Sequence, residues 1–205
     1  MKSSKEKHQL ILKSQCFYVG EFEVPDFELG IGEMVRFWVQ IVPNSASDTG
    51  GHWGIDKMKA TLANLNFRKK PIKICSNKLK RTIFDYLKPK TVGGYLKNKF
   101  SLPEEAIQKL VSQFGIKPEY KIKNLGTGHQ KIFSILCEFQ RNEIVAFDYY
   151  GLDPGTEGQL TEFVKSELRK GKSAISFDNL SFQPENPDAE MIKNLEILRI
   201  SHRPY

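Results

Sequence analysis

The chain has 205 residues, 40% of them hydrophobic and 27% charged, the balance of a folded globular protein, which excludes a disordered tail or a fibrous repeat. Thirty-one Lys and Arg against 24 Asp and Glu leave a formal charge of +7, which favours acidic partners without choosing among nucleic acid, anionic lipid and an acidic protein face. No apolar run reaches the roughly 20 residues of a membrane-spanning helix, the charged start Met1–His8 is no secretory signal, and three scattered cysteines (Cys16, Cys75, Cys137) argue against a disulfide framework or zinc site and fit a reducing cytoplasm.

Leu10–Val19 and Phe22–Val24 carry β-branched and aromatic residues in rough alternation and predict strands. Pro25 and Asp26 break the run, and Gly30–Gly32 marks a tight turn. Met34–Val42 is dominated by apolar and aromatic types and predicts a central strand covered on both faces, followed by a polar loop over Pro43–Gly51. Ile55, Met58, Leu62 and Leu65 have helical spacing. From Arg68 to Lys99, eleven Lys or Arg stand against one acid, Asp85. Ser101–Phe114 predicts a helix, with Ser101 as its cap, Pro103 in the first turn, Glu104 and Glu105 at the positive end of its dipole, and Gly115 as its stop. Further along, a helix is expected over Gln130–Phe139, a short buried strand over Glu143–Asp148, and a charged helix over Gln159–Lys170 stopped by Gly171. Strands are expected over Ser173–Phe177 and Glu196–Ile200. This alternation predicts a largely parallel sheet with covering helices.

One constellation is more specific than the rest. Leu125–Gln130 (LGTGHQ) opens a helix, the apolar strand Ile144–Asp148 follows, and Gly151–Pro154 (GLDP) comes directly after it. This order resembles the ATP-binding cassette (ABC) family of ATPases, in which a signature of the LSGGQ type opens a helix ahead of a strand ending in the Walker B aspartate and a GLDP loop. Gly32 and Glu33 before a hydrophobic strand are similar to the family's Gly-Glu ahead of its phosphate loop, and Thr91 and Val92 to a helix start in its helical subdomain. The resemblance covers most of residues 10–200. It implies an α/β fold of the P-loop NTPase type: a mixed, largely parallel sheet with an N-terminal antiparallel β portion and a helical subdomain. The implied division of this single domain is 1–69 for the N-terminal β portion and first half of the core, 70–124 for the helical subdomain, and 125–205 for the second half of the core.

The resemblance also implies what each part does. A glycine-rich loop wraps the phosphates with backbone N–H groups, a Lys reaches the terminal ones, and a Ser or Thr holds magnesium. The Walker B Asp supports that ion, a Glu after it positions the attacking water, and a His on the next strand senses the terminal phosphate. Two such domains sandwich ATP. Here the segment Val42–Thr49 (VPNSASDT) keeps Asn44 and, at the metal-binding hydroxyl, Thr49. It puts Ser45 and Ser47 for two glycines and Asp48 for the lysine. At about 4 Å and an effective dielectric near 20, reversing that contact changes its interaction with phosphate by roughly 8 kcal/mol. Asp148 is followed by Tyr149 instead of Glu, and Asp178 or Phe177 falls at the switch histidine. The signature serine is Gly126 and its first glycine Thr127, with Gly128 kept, and no glutamine is evident near Cys75–Asn77.

The expectation is therefore a degenerate cassette without hydrolysis, with no catalytic residue and no metal site. Remnants of the nucleotide site are Asn44, Asp48, Thr49, Asp148, Asp153 and Asp178, and remnants of the signature loop are Gly126, Gly128 and His129. No cofactor is expected. ATP and magnesium belong to an alternative, an active ATPase drawing its lysine from Lys57 or Lys59. Implied partners are a second copy or another ABC ATPase subunit and a membrane permease, in the cytoplasm or at the inner face of the membrane.

Taken singly, the same residues have plainer readings. Gly151–Pro154 is composed of ordinary turn residues, and Asp148 serves equally as a turn cap. His129 reads as a surface residue at a helix start, and His8, His52 and His202 have no partners at catalytic spacing. Tyr18, where the family stacks an aromatic on adenine, reads as a half-buried strand residue, and Phe37 and Trp38 read as core. The basic run 68–99 ranks first as a solvated face and second as a surface near a permease or membrane. A nucleic-acid-binding module ranks last, because aromatic residues do not interleave with the cations.

Overall fold

The computed structural model describes residues 9–40, 54–79, 90–185 and 188–200. The segment Val42–Thr49, with Asn44, Asp48 and Thr49, lies outside the described residues, as do His8, His52, His202 and residues 80–89 of the basic run. The chain falls into two units. One takes the described residues up to Ile74, Glu143–Tyr150, and those from Val164 onward; the other takes Cys75–Asn142 and Gly151–Phe163.

The first unit begins with antiparallel strands. β1 (Leu10–Ser14) pairs with a fourth strand, Phe27–Gly30. β2 (Phe17–Val19) pairs with β3 (Phe22–Val24). With Phe27–Gly30 as β4, the chain turns into β5 (Met34–Gln40), the centre of a parallel sheet. Helix α1 (Ile55–Ala63) and a small hairpin, β6 (Asn66–Phe67) with β7 (Lys70–Pro71), follow it. The remaining strands are β8 (Ile144–Asp148), β9 (Ser173–Leu180), β10 (Ile192–Glu196) and β11 (Leu198–Arg199). The parallel sheet has the order β10-β5-β9-β8.

Period-two alternation decides what the sheet buries. Val35, Phe37 and Val39 of β5 join Ile144, Ala146, Ile175 and Phe177 in one core, which also takes Met58 and Leu62 of α1. Phe37 stacks on Phe177 at 5.7 Å and meets Phe27 edge-on at 5.1 Å. Met34, Arg36 and Trp38 alternate with these core residues. The turn into β5 requires glycine at Gly32: φ is +79°, and a Cβ would lie 3.2 Å from the Leu168 carbonyl oxygen. The buried Glu33 carboxylate accepts hydrogen bonds from the Gly30 N–H (2.8 Å) and from Lys193 Nζ (2.6 Å) on β10.

The second unit is helical, with α2 (Val92–Phe100), α3 (Glu104–Ser112), a single 3₁₀ turn (Ile122–Asn124) and α4 (Thr127–Arg141). α5 (Pro154–Leu168) begins in this unit and ends in the first. Thr91 caps α2, its Oγ1 accepting the Gly94 N–H at 3.0 Å. Phe163 packs edge-on against Phe139 (5.5 Å) and Phe114 (6.0 Å). Residues 131–137 of α4 are all buried, so the middle of this helix is covered on every side.

The mixed α/β architecture expected from the alternation is present, with differences in detail. Ser101 does not cap α3. It ends α2 in the left-handed region (φ +56°), donating its N–H to the Lys97 carbonyl, because Pro103 holds an extended entry into α3. α5 starts at Pro154, ahead of the charged run that predicts it. The single strand expected over Glu196–Ile200 is instead the end of β10 followed by β11. The chain leaves β5 at Ile197, which is buried, and joins β3 in the antiparallel sheet. Among the described residues no helix is long and apolar enough to cross a membrane.

Candidate functional site

β5, β8 and β9 run parallel, so their carboxyl ends lie at one edge, the edge at which open α/β sheets hold ligands. β5 leads there into the undescribed residues 41–53.

Asp148 is the last residue of β8 and is only 4% exposed; its Oδ1 accepts the Tyr150 N–H at 3.1 Å. Tyr149, 2% exposed, donates its N–H to the Phe177 carbonyl at 3.1 Å and so carries the ladder one step past β8. Its ring meets Phe147 edge-on at 5.3 Å, and the Arg36 guanidinium sits 4.7 Å from its centroid. Asp178 on β9 is ion-paired to Arg36, and its Oδ1 also accepts the Asn179 N–H at 2.9 Å. Next to Arg36 in the register, the buried Ser176 hydroxyl has no hydrogen-bond partner among the described residues. Among the described residues the edge thus holds two buried carboxylates, Asp148 and Asp178, and the Arg36 guanidinium. Among the described residues no group of three or more His, Cys, Asp or Glu is placed to hold a metal ion.

In the second unit, Gly126 precedes α4 as its N-cap without a side-chain bond, and His129 lies exposed in the first turn. Gln130 Nε2 donates to the Leu125 carbonyl at 2.6 Å, closing the loop on itself. A Cβ on Gly128 would come no nearer than 3.8 Å to Leu152, so sterics alone do not demand glycine there. The GLDP segment has two local tasks. Gly151 adopts φ +78°, and Asp153 caps α5 ahead of Pro154. Asp153 Oδ1 accepts the Thr156 N–H at 3.0 Å and Oδ2 accepts its hydroxyl at 2.6 Å. The hydrogen bonds from Thr156 hold the Asp153 carboxyl below its usual range.

The sheet edge therefore gathers Asp148 and Asp178 of the predicted site. Gly126, Gly128, His129 and Asp153 belong to the helical unit, and Asn44, Asp48 and Thr49 lie outside the described residues. Arg36 is the residue the sequence alone does not single out; the available signal is an arginine inside an otherwise apolar strand. Tyr18 is half-exposed on β2, its hydroxyl donating to Glu23 at 3.2 Å.

No protein-family model and no curated protein matches the chain. Solved structures do. An ABC transporter ATP-binding protein of Pyrococcus furiosus superposes with a TM-score of 0.57 at 15% identity, over 90% of this chain and 96% of that one. The ADP conformation of MJ1267, an ATP-binding cassette of an ABC transporter, gives 0.54 at 14% identity over 93% and 90%. CbiO1 of Clostridium perfringens, part of the ABC transporter complex cbiONQ, gives 0.50 at 15% over 83% and 79%. The chain has the fold of the ATP-binding cassettes of ABC transporters.

Proposed function

We propose that this protein is a cassette-type subunit that does not hydrolyse ATP and serves as a structural or regulatory partner in an ABC transporter-like assembly. The observation that carries this reading is Tyr149. It follows the strand-terminal Asp148, where the family resemblance expects the carboxylate that positions water. Tyr149 offers a phenol in place of that carboxylate, and its ring is buried between Phe147 and Arg36. Asp178 or Phe177 falls at the switch-histidine position, and Asp178 brings a negative charge tied to Arg36. Asp148 is kept where the resemblance places the carboxylate that supports magnesium, but neither the Tyr149 that follows it nor the Arg36-paired Asp178 supplies the water-positioning base or the phosphate sensor of a hydrolytic site. The lysines of the active alternative are also engaged. Lys57 stands 4.0 Å over the Phe22 ring and 3.7 Å from Glu21, and Lys59 is 3.5 Å from Asp56.

Partners follow from the same reading: a second copy or an active cassette subunit, and a permease at the cytoplasmic face of a membrane. The test is phosphate release from magnesium-ATP by the purified protein, with calorimetric titration alongside. No turnover is expected in either wild type or Asp148→Asn. Turnover that disappears in Asp148→Asn overturns the proposal.

A further inference from the structure

The β6–β7 hairpin has the shortest connection a hairpin allows. Asn66 pairs with Pro71 and Phe67 with Lys70, leaving Arg68 and Lys69 as the whole turn. Both lie in the left-handed region, at φ +50° and +62°, the geometry that Asn-Gly or Gly-Gly adopts most readily. Two long cationic side chains occupy it under strain, and what they add is charge at the tip.

The rest of the segment extends that charge. Ile72 is buried and Ile74 half-buried, and Ile74 bridges Ala146 in parallel along the free side of β8. Lys70 and Lys73 are exposed, as are Arg68 and Lys69. Four cations therefore line one hairpin and the segment that continues from it to the Ile74 bridge. Arg68 is held by Glu143 at 3.0 Å and lies over the Phe67 ring at 4.9 Å. Lys69, Lys70 and Lys73 form no ion pair with any acid among the described residues.

We propose that residues 66–73 dock on the phosphodiester backbone of duplex nucleic acid without regard to base sequence. A two-stranded ribbon is of a size that a duplex groove admits, and clustered Lys and Arg neutralise its phosphates. No exposed aromatic on the hairpin offers a platform for unpaired bases. None of the large exposed hydrophobic side chains lies in this segment either, so it has nothing to sink into a bilayer. The proposal is independent of the nucleotide-site reading, since the hairpin touches none of those residues' chemistry.

Fluorescence anisotropy with a labelled 20-base-pair duplex of mixed sequence, titrated over salt, tests it. Four phosphate contacts predict a slope of log K against log salt of roughly −3 to −4. Arg68→Asn with Lys69→Gly removes two cations while giving the turn its preferred residues, so the protein melts no earlier. The slope is expected to flatten by about two units, with affinity falling at least tenfold at low salt. Lys70→Gln with Lys73→Gln removes the remainder, and Lys109→Gln with Lys117→Gln, exposed in the helical unit, changes nothing. No saturable binding at low salt, a slope unmoved by the hairpin variants, or binding to phosphatidylserine vesicles in preference to the duplex overturns the proposal.

Discussion

Arg36 and Asp178 are paired along a diagonal of the parallel sheet. In the register Arg36 stands opposite Ser176, and its guanidinium reaches two residues further along β9 to the Asp178 carboxylate, both side chains nearly buried. Removing one partner strands a buried charge, which costs roughly 3–5 kcal/mol, whereas replacing both with apolar groups of similar volume is close to neutral. Arg36→Met and Asp178→Leu should each lower the urea midpoint strongly, and the double variant should recover most of the loss. Additive losses in the double variant would show that the pair is not the source of the coupling.

Thiol chemistry reports on α4. Burial pushes the Cys137 thiol up to about 12, so it stays protonated and unreactive at pH 8, and Cys75 is buried as well. Only Cys16 is exposed. A colorimetric disulfide reagent should therefore titrate one thiol quickly in the native protein and all three in denaturant. A second fast equivalent would mean that α4 or the Cys75 segment opens readily.

The cap on α5 gives a pH dependence with a definite sign. The folded state lowers the Asp153 carboxyl from its ordinary value, chiefly through the Thr156 hydrogen bonds. Its stabilisation is present above that ordinary value, about 4, and is lost as pH falls through the lower folded value. Asp153→Ala should melt earlier than wild type at neutral pH, and the gap should close in strong acid. A gap of constant size down to pH 2 would assign the effect to something other than the carboxylate.

Two glycines should respond in opposite ways to the same change. A Cβ at Gly93 would lie 2.9 Å from Pro118 Cβ and 3.2 Å from its carbonyl oxygen, so Gly93→Ala forces backbone apart and should cost about 1–3 kcal/mol. Gly128 sits in the first turn of α4 with room for a methyl group. Gly128→Ala should be neutral or stabilising by up to about 1 kcal/mol, as read by thermal melting.

Much of the fold is legible in the sequence because its signals are local. Val35, Phe37 and Val39 declare a buried strand, and Gly115 and Gly171 stop their helices in the left-handed region as their positions suggest. The terminal strand is illegible for the opposite reason. Residues 192–199 serve two sheets, and no single period describes a segment that changes partners at Ile197. Ser101 misleads because the capping preference of serine says nothing of which helix it belongs to. At the site, Asp148 and Asp178 are recognisable by position in a resemblance. The Arg36–Asp178 pair is not, since it joins residues 142 apart in sequence, and only the strand order brings them together.

That strand order has a consequence for how the protein is made. β5 is synthesised well ahead of both its neighbours in the sheet, β9 and β10, which begin more than 130 residues later. A nascent polypeptide stalled on the ribosome before Ser173 carries an apolar ribbon with two bare edges. Such a ribbon is a template for pairing with another copy, and the helical segment made in the meantime can fold while β5 waits.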